Sequence, residues 1–223
     1  MSRASALALA AGFAVLAVLV AGGELSSVDQ WAVDHAMPGA AFAGKPTFAD
    51  AVIPLWGVHW HGVVHVVSEL VTLPASFTPA TLLVAAACLA VRGRAALVFG
   101  SAFAAGNAIE VVVKGTLTRP ALHAHSEHLP GFDASYPSGH TMRTVLVAVA
   151  VAWAWPRLRL IAGAWAVSSL VLIELGGQHV PSDIAGGLLL AGALLATAWS
   201  LRRGARWTSR RPSPVCRPSS PAP

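Results

Sequence analysis

The chain has 223 residues, 55% of them hydrophobic and 11% charged, and its mean hydropathy is +0.63. A soluble domain carries about a quarter charged residues, so this balance excludes a water-soluble core and describes a set of membrane spans. The formal charge of +5 does not make a nucleic-acid surface, because the arginines gather in short connections and the C-terminal tail.

A bilayer span takes roughly 20 mostly apolar residues. The first runs from Ala4 to Val20 behind Arg3. Its short apolar stretch, followed by small residues, also fits a cleaved signal peptide; the expectation is a retained span that completes a bundle with the later ones. Residues 23–61 mix Gly, Pro, Trp and His and read as an exposed loop or surface-lying segment. The second span runs from Gly62 to Val91, kinked or split by Pro74 and Pro79, and Arg92-Gly93-Arg94 closes it. The third covers Ala95 to Leu117, and a polar loop from Thr118 to Tyr136 follows. The fourth starts near Ser138 and ends at Trp155, before a turn of Pro156, Arg157 and Arg159. The fifth covers Leu160 to Leu175 and the sixth Ile184 to Leu201. The predicted fold is all-α: a six-transmembrane-helix bundle in one domain over residues 1–203, its motifs within 110–185, then a disordered basic tail over 204–223. Cys88 lies in an apolar run and Cys216 in the tail, which suggests neither a disulfide framework nor a multi-cysteine metal site.

Charge placement orients the bundle. Alternate connections hold Arg3, then Arg92 and Arg94, then Arg157 and Arg159, then the Arg-rich tail; the others hold only Lys45, Lys114 and Arg119 as basic residues. The positive-inside rule then puts both termini in the cytoplasm of a multi-pass plasma-membrane protein, with the loops at 118–136 and 175–182 outside.

Three polar clusters fall at that outer face: Lys114-Gly-Thr-Leu-Thr-Arg119-Pro120 leaving the third span, Tyr136-Pro137-Ser138-Gly139-His140-Thr141-Met142-Arg143 entering the fourth, and Gly177-Gln178-His179-Val180-Pro181-Ser182-Asp183 between the fifth and sixth. Cleavage of a phosphate ester without a metal needs fixed cations for the oxyanion, a nucleophile, and an acid for the leaving oxygen. Lys114 and Arg119 bring charge, and Arg grips two oxygens at once. Ser138 and Gly139 open a helix, where backbone N–H groups and the helix dipole favour an anion. Asp183 follows His179 by four residues and can hold one ring nitrogen, leaving the other basic. His179 is therefore the candidate nucleophile, Asp183 its orienter, and His140 the candidate acid and later base.

These clusters resemble the signature motifs of the type 2 phosphatidic acid phosphatase and vanadium haloperoxidase superfamily: a Lys with a downstream Arg-Pro, a Pro-Ser-Gly-His, and a Ser-Arg followed by His and Asp. Pro137 to His140 match the second in full, and His179 with Asp183 match the end of the third. The resemblance covers about residues 60–200 and implies six helices, a metal-free histidine mechanism without cofactor, and a lipid phosphate substrate held in the bilayer. Two positions depart from the pattern. Lys114 and Arg119 are separated by four residues rather than six, and Ile173 stands where the third motif has Arg. Arg143, three residues after His140 on the same helical face, is the expected substitute, and a charge there needs a partner inside the membrane. Without a substitute the chain reads as a weakened family member acting as a membrane binding or scaffold protein.

Other polar residues have plainer readings. Lys114 can snorkel, Asp183 can cap the sixth span, and Glu110 can pair with Lys114 one turn away. Glu69 and Glu174 lie in or near spans and should face the bundle interior. His59, His61 and His65, and His123, His125 and His128, have loose metal-ligand spacing, without a carboxylate or cysteine to complete a site; Trp56 and Trp60 fit a membrane interface.

Overall fold

In a bilayer every backbone N–H and C=O needs an internal partner, so apolar runs of span length become helices. They do so in the computed structural model, which describes residues 2–38, 40, 60–124 and 126–208, those at 60–62 and 202–208 by backbone alone. The helices are α1 (Arg3–Ala21), α2 (Ser26–His35), α3 (Trp60–Thr72), α4 (Phe77–Val91), α5 (Gly93–Thr116), α6 (Gly139–Ala154), α7 (Arg159–Leu175) and α8 (Pro181–Thr208). Five stretches among the described residues are long and apolar enough to cross a membrane: Arg3–Ala21, Val63–Val91, Gly93–Thr116, Pro156–Leu175 and Pro181–Leu201. The apolar α6 is shorter, at 16 residues. It packs on α4, α5, α7 and α8 and so forms the centre of the bundle. Leu7, Val18, Leu82, Leu97 and Leu160 point outward, as lipid contact requires.

The second span is broken as its prolines require. A 3-10 turn over Leu73–Ala75 contains Pro74, Ser76 is extended, and Pro79 sits in the first turn of α4. The two halves find different neighbours, α3 on α7 and α4 on α5 and α6. The mixed segment after α1 departs from its reading as exposed loop or surface: α2 turns Asp29, Ala32 and Val33 inward. Residues 41–59, 125 and 209–223 lie outside the described residues, and with them His59, Trp56, His125 and most of the tail. Helix α8 continues to Thr208, past the domain end expected at 203.

Two apolar cores hold the site between them. One fills the bundle with Phe99, Phe103, Met142, Leu146, Val147 and Leu190. The other lies at the end of the bundle that carries the 118–136 loop, where Ala32, Val33 and Met37 meet Leu122, Leu129, Phe132 and Val180. In the second core each Leu or Phe contributes about 1.5–3 kcal/mol by leaving water, whereas inside the bundle the alternative neighbour is lipid and close packing holds the helices. The second core seats α2 and the 118–136 loop on the start of α8. Helix α1 joins through small-residue contacts, Gly12 on Leu189 and Gly192 on Leu9. Its Phe13 stacks on Tyr136 at 5.7 Å, and the Tyr136 hydroxyl donates to the Phe13 carbonyl at 3.1 Å.

Close approach of α8 to the start of α6 depends on Gly187. A Cβ there would lie 2.6 Å from the Ser138 carbonyl oxygen and 2.8 Å from Thr141 Cβ. Backbone cannot rotate aside, so Gly187→Ala should cost about 1–3 kcal/mol. Thermal unfolding in detergent should show a lowered midpoint, whereas Gly163→Ala, with nothing within 4 Å, should leave it unchanged.

Candidate active site

The turn that presents His179 begins at the end of α7. Gly177 adopts φ +73, a left-handed conformation that suits glycine, and closes the helix. Gln178 N–H donates to the Ile173 carbonyl at 3.0 Å and Gly177 N–H to Glu174 at 2.9 Å, the paired bonds of a Schellman end. The chain then leaves the helix axis and carries Gln178 and His179 across the bundle mouth. Gln178 is fastened to α3: its Nε2 donates to Ser68 Oγ at 2.9 Å, Thr72 Oγ1 at 3.1 Å and Glu69 Oε1 at 3.2 Å. His65 bonds the Gly176 carbonyl at 2.7 Å from the same helix.

Pro181 starts α8, and Asp183 lies in its first turn, fully buried. One carboxylate oxygen of Asp183 accepts from His179 Nδ1 at 3.4 Å and from the Ser135 hydroxyl; the other accepts from Arg119 Nη1 at 2.9 Å. The expectation for Arg119 is a grip on phosphate oxygens. In the structure its fork is committed elsewhere: Nη2 donates to Asp29 and to Ser182 Oγ at 3.1 Å, and the residue is buried. Its Nε has no partner among the described residues. Asp29 also receives the Ser182 N–H at 3.1 Å and the Ser182 hydroxyl at 2.7 Å, so it caps α8 from another helix.

Helix α6 begins at Ser138, whose hydroxyl accepts from Thr141 N–H at 3.1 Å and whose own N–H donates to the Asp183 carbonyl at 3.0 Å. That backbone bond ties the second cluster to the third. Gly139 lies against the Glu110 carboxylate so closely that any Cβ would overlap it. Glu110 accepts from Lys114 Nζ at 2.9 Å and from Arg143 Nη1. Arg143 also donates from Nη1 to Asn107 at 3.0 Å and from Nε to the Ala75 carbonyl at 2.8 Å. The partner that a buried charge at Arg143 requires is therefore Glu110, with the 3-10 turn of the second span beside it.

Of the expected residues, His140 and His179 come together, ring centroids 6.1 Å apart and planes tilted by 52°. Asp183 stands behind His179; Ser138 and Gly139 open α6; Lys114 and Arg143 share Glu110; Arg119 lies deeper, between two carboxylates. Sequence reasoning did not find Asp29, Ser135 or the α3 anchor of Gln178. Asp29 stands in a mixed segment with no motif, 90 residues from Arg119. In the 118–136 loop, β1 (His123–Ala124) pairs with β2 (Glu127–His128), and His128 bonds Asp133 at 2.9 Å. Among the described residues no three His, Cys, Asp or Glu side chains gather to hold a metal ion.

Three comparisons bear on this arrangement. The family model of the PAP2 superfamily matches residues 95–207, just over half of the chain and all three polar clusters. The solved transmembrane PAP2-type phosphatidylglycerolphosphate phosphatase from Bacillus subtilis superposes with a TM-score of 0.55 at 19% identity, over 93% of this chain and 98% of that one. At that identity the likeness is one of fold. No curated protein matches the sequence. With the family pattern running from the third span to the end of the bundle, and the helical frame shared with a solved transmembrane member, the chain belongs to the PAP2 superfamily.

Proposed function

We propose that the chain hydrolyses a lipid-linked phosphate or diphosphate ester at the membrane face opposite its Arg-rich connections, through a phosphohistidine. The observation that carries this reading is the pairing of His140 and His179 at 6.1 Å, with Asp183 bonded to the inner nitrogen of His179. Such a pair can touch one phosphoryl group from two sides. His179 Nε2 attacks phosphorus and forms a P–N bond; the P–O bond to the leaving group breaks, and that oxygen takes a proton from His140. Water then gives a proton to His140 and attacks phosphorus, the P–N bond breaks, and phosphate leaves. Lys114, Arg143, the Ser138 hydroxyl and the Gly139 N–H are the proposed stabilisers of the equatorial oxygens. Arg119 supports them from behind rather than touching phosphate.

A site at the helix ends of a membrane bundle supports a lipid-linked substrate, whose tail would stay in the bilayer while the headgroup reaches the histidines. Undecaprenyl diphosphate, phosphatidic acid and phosphatidylglycerol phosphate are the candidates, the last being what the name of the Bacillus subtilis relative specifies for that protein. Phosphate release from a panel of these lipids, wild type beside His179→Ala, tests the reading. The wild type should release phosphate from at least one and retain radiolabelled phosphate after a denaturing alkaline quench, which preserves the acid-labile P–N bond; His179→Ala should do neither. Equal release by both proteins would sink it.

A weakened catalyst is the second reading, and charge favours it. Lys114, Arg119 and Arg143 face Glu110, Asp29 and Asp183, so three cations meet three carboxylates and the cluster carries no formal excess for phosphate. Ile173, in place of the third-motif Arg, is fully buried and adds none. Phosphate-lipid binding with no release from any panel member would select this reading.

A further inference from the structure

We propose that Asp29 is a positioning residue for the nucleophilic histidine, acting through Arg119 and Asp183; the proposal rests on the phosphatase reading above. Four side chains from four parts of the chain stand in series: Asp29 on α2, Arg119 after α5, Asp183 on α8, and His179 in the turn before it. Each link is a direct bond. Asp29 accepts from Arg119 Nη2, Arg119 Nη1 donates to Asp183 at 2.9 Å, and Asp183 accepts from His179 Nδ1 at 3.4 Å. Asp29 and Asp183 are completely buried, and the side chain of Arg119 is 2% exposed.

The physics of this series differs from that of an isolated His–Asp pair. A guanidinium bonded to Asp183 alone would draw the carboxylate toward itself and away from the imidazole, whose bond is already the long one in the set. Asp29 divides that pull by taking the second arm of the fork, an arrangement Arg supports through its planar geometry. Asp29 is itself fixed at three points, because Ser182 donates to it from both N–H and hydroxyl. The anchor is thus rigid at the far end, and rigidity passes along the fork to the oxygen that holds His179. A carboxylate buried without such partners would be costly, so the bonds to Ser182 and Arg119 are also what keep Asp29 in place.

The consequence is a single imidazole tautomer, Nδ1–H toward Asp183 and Nε2 bare toward the substrate. Histidine nitrogen NMR of isotope-labelled protein in detergent reads this directly, with no need for turnover. Wild type should show His179 in that one tautomer, and Asp29→Asn should show a mixture. In phosphate-release assays Asp29→Asn should lose about 10-fold in kcat, the low end of the loss seen when an outer supporting partner is removed, because Asp29 stands three bonds behind the reacting histidine, with KM within about 3-fold. Wild-type tautomer or wild-type kcat in Asp29→Asn overturns the proposal, as does a rise in KM with kcat kept. If that variant does not fold, Arg119→Lys is read the same way, since an ammonium keeps the charge without the fork. A wild type that releases no phosphate counts against the phosphatase reading, while the tautomer still decides the role of Asp29.

Discussion

Asp183→Asn should lower kcat by roughly 10⁴-fold, the loss seen in hydrolytic triads of other folds when the orienting acid becomes its amide. The substitution keeps size and buried shape but removes the charge on which three donors converge: Arg119 Nη1, the Ser135 hydroxyl and His179 Nδ1. An amide nitrogen turned toward any of them is a donor facing a donor. Stability should fall as well, by about 3–5 kcal/mol, because Arg119 would be left in a dry interior with Asp29 alone. Turnover on the preferred lipid, measured beside thermal unfolding, separates the two effects: the protein should unfold at a lower midpoint yet still be folded where the assay shows the catalytic loss. An Asn variant within ten-fold of wild type would remove Asp183 from the chemistry.

The second large effect is expected at Arg143. Arg143→Leu should abolish turnover, because the proposed site loses one of its two forward cations, and it should destabilise by leaving Glu110 with Lys114 only. These two losses can be pulled apart. In Arg143→Leu with Glu110→Gln the buried charge is gone from both sides, so most of the unfolding midpoint should return. Turnover should not return if Arg143 acts on phosphate. A double variant that recovers both would make Arg143 a counter-ion to Glu110 and nothing more.

Much of this arrangement is legible in the residues. The span limits fall within two or three positions of the observed helices, except at the end of the sixth, whose helix runs on to Thr208, because apolar run length and flanking arginines report a bilayer directly. Ser138 as helix cap, the break near Pro74, and the meeting of the second and third clusters are local or topological facts, and the chain states them. Partners across long sequence distances are not stated. Glu110 with Lys114 is visible at one helical turn, but Glu110 with Arg143 spans 33 residues, and only the packing of α5 on α6 brings them together. Arg119 shows the limit most clearly. A cation beside a phosphate motif reads as a phosphate ligand, yet which way its fork turns depends on Asp29, an acid that looks solvated in a segment of mixed composition. Gln178 is similar: in the sequence it stands in the third cluster without a role, which emerges only against Ser68 and Thr72.

A proline's missing donor has a use in this bundle. In an unbroken helix the carbonyl of Ala75 would accept from the residue four positions on, but that residue is Pro79, which has no N–H. Ala75 is fully buried, beyond the reach of water, and Arg143 Nε donates to its carbonyl oxygen at 2.8 Å. The defect in one span is thereby a ligand for the charge in another.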